Sequence, residues 1–180
     1  SKLKKRMPDT PIVILMGGQS KRMGSDKAFK TYKGQTFLAH QIQELSAYSS
    51  QIFLSVNTTQ YARLRESHQC ILDVYPDKGP LGGMYSCLAQ LKRSTIFVPI
   101  DMPEAHLLVK QLIESEKSAC FAYHDKIQLF PIKLEYKYSN EIFLKLKKDE
   151  LKLFSYISKV SLKKIAINNT KAFMNINSLP

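Results

Sequence analysis

The residues of this chain best suited to chemistry follow two short apolar runs. The first run, residues 12–16, leads into a segment that combines paired glycines with basic side chains: Gly17, Gly18, Lys21, Arg22 and Lys27. Glycines permit positive φ, so successive N–H groups can point at phosphate oxygens, and the basic side chains add compensating charge. The segment predicts a phosphate-binding loop. The plainer interpretation is a glycine turn followed by a solvated basic helix start.

The second candidate follows the apolar run 95–100, where Asp101, Met102 and Pro103 form a turn signal. A carboxylate fixed at the end of a buried strand is an oxygen ligand of the kind that Mg²⁺ takes, together with phosphate oxygens and water. Asp101 is therefore our strongest single candidate. The alternative is that Asp101 caps a helix whose first turn contains Pro103, and the two roles are compatible.

The elements that must position these residues alternate between two hydrophobic periods. Strand-like runs at 12–16, 52–56, 70–74 and 95–100 are separated by helical patterns, one of them beginning after a cap at Thr36. This order predicts an α/β fold, a Rossmann-like three-layer sandwich with a mostly parallel sheet. Residues 119–123 and 127–132 predict a small antiparallel insertion, residues 138–157 one or two lysine-rich helices, and residues 161–167 a last strand.

Length and composition favour one domain that stays in the cytoplasm. We expect residues 1–10 to form a flexible basic tail and residues 11–180 a single domain. No apolar run approaches the ~20 residues of a membrane span, and the start of the chain lacks the apolar centre of a signal peptide. Three widely spaced cysteines favour buried, reduced thiols. The four histidines show no ligand spacing, which favours isolated surface or half-buried positions.

The net charge of +12 raises the possibility of nucleic-acid binding, so its distribution matters. The excess lies in residues 1–6 and in residues 131–180, where ten lysines face four acidic residues. No recognition helix or aromatic-studded sheet carries it. The distribution favours solvated lysine-rich faces, with a basic rim that attracts a phosphate-rich small molecule as the second interpretation, and it disfavours an RNA-binding protein.

The glycine segment matches neither the P-loop nor the dinucleotide-binding pattern. Its residues 15–27, Leu-x-Gly-Gly-x-Ser-x-Arg-Met-Gly-x-Asp-Lys, resemble the signature of nucleotidyltransferases that join an NTP to a phosphorylated acceptor. Asp73, the Gly-Pro-Leu-Gly-Gly-Met run 79–84 and the Pro-Ile-Asp-Met-Pro run 99–103 resemble the molybdenum cofactor guanylyltransferase family, MobA. The ending Asn175-Ile176-Asn177 is similar to that family's Asn-x-Asn, so the resemblance spans residues 12–177.

The resemblance implies a nucleotide-diphospho-sugar transferase-like fold and transfer of GMP from GTP to the terminal phosphate of Mo-molybdopterin, with release of pyrophosphate. It assigns Mg²⁺ to Asp101, with Mn²⁺ as a substitute. The implied nucleotide site has these members: Leu15, Met16, Gly17, Gly18, Lys27, Asn57, Asp73, Gly82 and Asp101. Arg22 suits a bidentate phosphate contact beside Lys27, and Asn175 and Asn177 are candidates for acceptor binding.

Two departures and several alternatives accompany this prediction. Met16 stands where the family has Ala, which places a larger side chain beside the expected nucleotide. The family's Asn after the second strand aligns with Ser55 or Asn57, and we assign the role to Asn57. Each of these features has an alternative interpretation. Lys27 would form a surface ion pair, Asp73 would be a turn residue, and residues 79–83 would be a plain turn that leads into the helix.

Three alternative functions remain beside the predicted one. A cytidylyl or sugar-phosphate nucleotidyltransferase would use the same loop and the same metal-binding Asp. A non-catalytic GTP-binding regulator would also keep the loop. The RNA-binding alternative leaves the Asp-Met-Pro turn unused. For the enzyme, the resemblance further implies delivery of the product to molybdenum-cofactor maturation proteins and apo-molybdoenzymes, with no nucleic-acid or membrane partner.

Overall fold

A computed structural model describes residues 9–17 and 27–174 of the chain. Most of the described strands join one seven-stranded sheet in the order β5-β4-β1-β6-β8-β7-β9, and the other two form a small hairpin. The strands are β1 (Ile12–Leu15), β2 (Thr31–Tyr32), β3 (Gln35–Thr36), β4 (Ile52–Val56), β5 (Cys70–Leu72), β6 (Thr95–Pro99), β7 (Ala119–Tyr123), β8 (Lys126–Leu134) and β9 (Lys163–Ala166).

The sheet is parallel except around one inserted strand. β5, β4, β1 and β6 run parallel to one another, and β9 runs parallel to β7. β8 is antiparallel to both of its neighbours, β6 and β7. The turn between β7 and β8 uses His124 and Asp125, both with positive φ, as a tight hairpin requires. The predicted mostly parallel sheet with a small antiparallel insertion is confirmed.

Helices cover both faces of this sheet. They are α1 (Phe37–Leu45), α2 (Thr58–Leu64), α3 (Gly79–Leu91), α4 (His106–Glu114), α5 (Ser139–Lys147) and α6 (Leu153–Lys159), with short 3₁₀ turns at Lys27–Phe29, Tyr136–Tyr138 and Lys171–Phe173. The expected cap at Thr36 is present, since its Oγ1 accepts a 3.0 Å hydrogen bond from the N–H of Ala39. Among the described helices, none is long and apolar enough to cross a bilayer.

Two hydrophobic cores flank the sheet, and alternate residues of β1 supply both. Ile12 and Ile14 belong to the core beneath α1, α2 and α4, whereas Val13 belongs to the core beneath α3, α5 and α6. Because successive side chains of a strand point to opposite faces, β1 must be apolar throughout when both faces are covered. The two cores make the domain the predicted three-layer sandwich.

The structure contains two elements that were not predicted, the hairpin β2–β3 and helix α2. Three local predictions also need correction. The alternative interpretation of residues 79–83 as a plain turn is wrong, because α3 begins at Gly79 and includes them. Pro103 was expected in the first turn of α4, yet the helix begins at His106. The end of the predicted tail is attached to the domain, since Asp9 Oδ2 accepts 2.9 Å hydrogen bonds from the N–H and the hydroxyl of Ser50.

Candidate active site

Two loops with chemistry-bearing residues leave the same edge of the sheet side by side. β1 and β6 are parallel neighbours, with Leu15 paired to Pro99 at their carboxyl ends. One residue further on, the N–H of Ile100 donates a 2.9 Å hydrogen bond to the carbonyl oxygen of Leu15. Gly17 and Asp101 therefore begin their loops from adjacent points, and in an open parallel sheet this edge is where ligands bind.

The glycine loop begins with a backbone conformation that favours glycine. Gly17 has a φ of +78°, and the N–H of Met16 donates to the carbonyl of Ser55 at 3.2 Å. The side chain of Met16 is 3% exposed and packs in the core, and its place beside the nucleotide stays a prediction. Gly18, Lys21 and Arg22 lie outside the described residues.

Lys27 is the first residue of the described segment 27–174 and lies in a 3₁₀ turn that ends at Phe29. Lys27 is half-buried, and its neighbour Ala28 is fully buried and fixes the turn against the core. The guanidinium of Arg63 lies 3.9 Å from the ring centre of Phe29, which attaches the turn to α2. The segment that carries Lys27 is thus held by packing on both sides.

Asp101 is the third residue of a tight turn. The N–H of Met102 donates a 3.1 Å hydrogen bond to the carbonyl of Pro99, which closes the turn around Ile100 and Asp101. The alternative helix-cap role is not realised, because α4 begins at His106 and its N-cap residue is Ala105. Within the described chain, the half-buried carboxylate of Asp101 has no hydrogen-bond or ion-pair partner. An accessible, unpaired carboxylate fits a hard divalent cation.

Asp73 follows β5 and packs against the first turn of α3. Its Oδ1 accepts a 2.8 Å hydrogen bond from the N–H of Tyr75, so part of its role is that of a turn residue. Burial raises the pKa of Asp73, only partly opposed by hydrogen bonds. A Cβ at Gly82 would lie 3.1 Å from Oδ1 of Asp73, so the helix approaches this carboxylate as closely as glycine allows.

The position after β4 is occupied by a helix cap. Oδ1 of Asn57 accepts a 2.8 Å hydrogen bond from the N–H of Gln60, and Gln60 Oε1 accepts from the N–H of Asn57. The family's alternative position, Ser55, is buried, and its Oγ would lie 2.6 Å from a Cβ at Gly83. Asn57 is thus the more accessible of the two, with its oxygen engaged in capping α2.

Gln60 is a site neighbour that sequence reasoning missed. Its Nε2 lies 3.4 Å from the carbonyl oxygen of Gly17, so α2 contacts the start of the glycine loop. The signal in the sequence was the Asn-x-x-Gln spacing of a capping box, which would have located α2.

A buried polar network lies behind the Asp101 turn, where isolated histidines were expected. His40 Nε2 and His106 Nδ1 lie 2.9 Å and 3.2 Å from the carbonyl oxygen of Pro103. Because a carbonyl only accepts, both nitrogens carry a proton. His40, Glu104 and His106 each offer one possible metal-ligand atom, all within 4.8 Å of one another. The expectation of isolated surface or half-buried histidines is therefore wrong for His40 and His106.

Hydrogen bonds to Glu104 link this network to the β2–β3 hairpin. Its Oε1 accepts 2.6 Å hydrogen bonds from the Tyr32 hydroxyl and from Lys33 Nζ. Burial alone would raise the pKa of Glu104, but these donors and the Lys33 charge outweigh it and lower that pKa. The chain segment after Lys27 is thereby linked to the turn that carries Asp101.

Comparison with known proteins assigns the family. The family model of the MobA-like NTP transferase domain matches residues 12–155. The chain belongs to this family. Asn175 and Asn177, the two residues expected to contact the acceptor, lie both beyond the matched segment and outside the described residues.

Named relatives agree with membership in the MobA-like NTP transferase family. The chain is 38% identical over 129 residues to the molybdenum cofactor guanylyltransferase of Xanthomonas euvesicatoria, a match that covers 68% of this chain and 64% of that protein. It is 30% identical over 175 residues to a probable molybdenum cofactor guanylyltransferase of Flavobacterium johnsoniae, covering 92% and 90% of the two chains.

The fold matches that of molybdopterin-guanine dinucleotide biosynthesis protein A from Archaeoglobus fulgidus, with a TM-score of 0.75. The sequence identity is 17%, and the match covers 93% of this chain and 92% of that one. At this identity the likeness concerns the fold. It agrees with the predicted nucleotidyltransferase architecture.

Proposed function

We propose that this chain transfers GMP from GTP to the terminal phosphate of Mo-molybdopterin, giving molybdopterin guanine dinucleotide and pyrophosphate. The observation that carries the proposal is the adjacency of Gly17 and Asp101 at the carboxyl edge of β1 and β6. Membership in the MobA-like NTP transferase family and relatives named molybdenum cofactor guanylyltransferase support the choice of substrates.

In this proposal the first loop and Lys27 bind the triphosphate. The backbone around Leu15, Met16 and Gly17 would receive GTP, with the N–H of Gly17 toward phosphate oxygens, and Lys27 adds positive charge. Gly18 is assigned to the same contact from the sequence. Arg22 is assigned a bidentate phosphate contact on the strength of the sequence alone. These groups neutralise the charge that develops as pyrophosphate leaves, which is the main demand of phosphoryl chemistry.

The remaining residues place the nucleoside and the acceptor. Asp73 and the N-terminal turn of α3 at Gly82 are assigned to the nucleoside, and Asn57 to the nucleotide side of the site. The acceptor phosphate is already ionised, so it attacks the α-phosphorus of GTP without a general base. Asn175 and Asn177 are the proposed acceptor contacts.

Asp101 would hold the divalent ion, Mg²⁺ or Mn²⁺ in its place. Its carboxylate is half-buried and without a partner among the described residues, which suits an oxygen-seeking cation that retains water and phosphate ligands. Such an ion supplies charge neutralisation between the two phosphate groups when it is bound. The turn through Pro99 and Met102 fixes the direction from which the carboxylate approaches.

The proposal is tested by measuring pyrophosphate release with each NTP, with and without molybdopterin. We expect release from GTP that depends on molybdopterin and on Mg²⁺. Release from CTP in place of GTP would indicate the cytidylyl alternative, and tight GTP binding without release would indicate a regulator. Either result would contradict the proposal.

A pair of matched carboxylate variants tests the metal assignment. Asp101→Asn keeps the shape of the side chain and should lower turnover at least about 100-fold, since electrostatic groups of this kind contribute that much. Asp9→Asn makes the same chemical change at the opposite end of β1 and should leave turnover unchanged. Undiminished turnover in Asp101→Asn would overturn the assignment.

Delivery of the product to molybdenum-cofactor maturation proteins and apo-molybdoenzymes is also proposed, as is a cytoplasmic location. The relatives named molybdenum cofactor guanylyltransferase support both proposals. Crosslinking in cells that make molybdoenzymes should capture a transient complex with a maturation protein. Absence of any such complex would contradict the handoff while leaving the catalytic proposal in place.

A further inference from the structure

Side chains of α1 add hydrogen bonds to the backbone turn that carries Asp101. β6 ends at Pro99. In the turn that follows, the carbonyl of Pro99 accepts from the N–H of Met102 and the carbonyl of Met102 accepts from the N–H of Ala105, both at 3.1 Å. Because a carbonyl oxygen has two lone pairs, each of these carbonyls can accept from a second donor, and α1 supplies it.

Gln41 supplies the second donor to both carbonyls. Its Nε2 lies 2.9 Å from the carbonyl oxygen of Pro99, 3.1 Å from that of Met102 and 3.4 Å from that of Ile100. An amide nitrogen has two protons, so the two shorter contacts are the hydrogen bonds and the third is a weaker contact. The turn therefore wraps around one amide group, with Asp101 between the bonded residues.

The unpaired oxygen of Gln41 carries a free-energy cost, and this cost indicates the role of its amide group. Gln41 is 0% exposed, and its Oε1 has no hydrogen-bond partner among the described residues. The buried neighbours of Gln41 on α1 include Phe37, Leu38 and Leu45, and a leucine at this position would leave no amide oxygen unpaired. The hydrogen bonds from its nitrogen to the turn therefore explain why an amide with an unpaired oxygen is buried here.

The adjacent residue of α1 extends the same contact. His40 Nε2 lies 2.9 Å from the carbonyl oxygen of Pro103. Two successive side chains of one helix thus reach carbonyl groups on both sides of Asp101. The carboxylate itself remains without a partner within the described chain, so the backbone is fixed while the ligand group is left available.

We propose that Gln41 is a positioning residue that fixes the Asp101 turn for binding of the divalent ion. This inference rests on the proposed function, because it assumes that Asp101 holds the ion. Gln41 does not contact the reacting groups. It sets the backbone from which the Asp101 carboxylate reaches them.

The test replaces Gln41 by methionine, which has a similar length and no N–H. Mn²⁺ binding in the presence of a non-hydrolysable GTP analogue is measured by electron paramagnetic resonance, and the Mg²⁺ concentration for half-maximal pyrophosphate release is measured separately. We expect both to shift about 10–100-fold toward weaker binding, as for other groups that orient a metal ligand. Gln41→Asn, which shortens the side chain and withdraws its amide from the turn, should shift them in the same direction if the methionine variant does not fold.

Two controls separate positioning from general loss of stability. Leu45→Ala removes a fully buried side chain from the same helix without touching the turn. It should lower the melting temperature and leave Mn²⁺ affinity unchanged. Gln43→Met makes the matched change on the exposed face of α1 and should alter neither. Unchanged Mn²⁺ affinity in folded Gln41→Met, or an equal shift in Leu45→Ala, would overturn the inference.

The experiment also separates this inference from the proposed function. Mn²⁺ binding by the wild type that is lost in Asp101→Asn and weakened in Gln41→Met, without transfer of GMP, would contradict the function and uphold the positioning role. Wild-type protein that binds no Mn²⁺ through Asp101 would overturn both.

Discussion

A Cβ atom on Gly82 would lie 3.1 Å and 3.2 Å from the two carboxylate oxygens of Asp73. The first turn of α3 therefore packs directly on the residue assigned to the nucleoside. The same Cβ would lie 2.5 Å from the carbonyl oxygen of Tyr75, closer than real atoms approach. Gly82 is thus required by packing whether or not its N–H contacts a base.

Gly82→Ala should consequently reduce both stability and GTP affinity. The added methyl group forces α3 away from Asp73 and Tyr75, an overpacking that costs about 1–3 kcal/mol. Denaturant unfolding and GTP titration check the two effects. Gln90→Ala, on the exposed part of the same helix, should change neither. Wild-type stability in the Gly82→Ala variant would show that the helix is less closely packed than the structure has it.

Asp73→Asn separates the turn role of this residue from the nucleotide role. The amide keeps the oxygen that accepts from Tyr75 and removes a carboxylate whose pKa is raised by burial. A raised pKa in the folded state means that ionisation opposes folding above the pKa, so the variant should be as stable as the wild type or more stable at pH 7. GTP affinity should fall about tenfold if Asp73 holds the nucleoside through a charged hydrogen bond. Unfolding at pH 7 and calorimetric titration measure the two quantities, and wild-type GTP affinity would leave Asp73 as a turn residue.

The thiols should differ in reactivity. Burial raises the pKa of Cys87 to about 12 and also raises the pKa of Cys120, and both are 0% exposed. Cys70 is half-buried on β5. A thiol reagent at pH 8 should modify Cys70 first, and Cys87 and Cys120 only after unfolding. Rapid modification of all three in native buffer would contradict the described core.

The sequence predicted the elements whose apolar pattern is long enough to read. β4 and β7 coincide with the predicted runs, because each run is bounded by residues that end strands. The hairpin β2–β3 was missed because each strand has two residues, too few to show a period. Helix α2 was missed because only Tyr61 and Leu64 give it an apolar side.

The candidate site likewise has one part that could be predicted from the sequence and one part that could not. Gly17 and Asp101 were predictable because a glycine turn and a carboxylate directly after buried strands must meet at the edge of a parallel sheet. The network behind Asp101 was not, because His40 is far along the chain from Glu104 and His106 and meets them only when α1 packs against the turn. The start of α4 was misplaced for the same reason. The carbonyls of Met102 and Pro103 accept hydrogen bonds from Gln41 and His40, tertiary contacts that no local pattern records.

Glu104→Gln should lower stability in a way that depends on pH. Glu104 is 3% exposed and accepts from the Tyr32 hydroxyl and from Lys33, which hold its pKa below the usual value of about 4.3 despite burial. A lowered carboxylate pKa stabilises the fold at all pH values above the unfolded pKa. The contribution is lost as pH falls through the folded pKa.

At pH 7 the variant should therefore be less stable by about 1–3 kcal/mol, the range for hydrogen bonds to a charged group. The difference should shrink below pH 4, where the wild-type carboxylate also becomes protonated. Urea unfolding of both proteins between pH 7 and pH 3 measures this. Glu114→Gln is the control, because its pairing with Lys110 is exposed and should contribute little at any pH. A Glu104→Gln deficit that stays constant down to pH 3 would mean that the charge of Glu104 does not stabilise the link between the hairpin and the Asp101 turn.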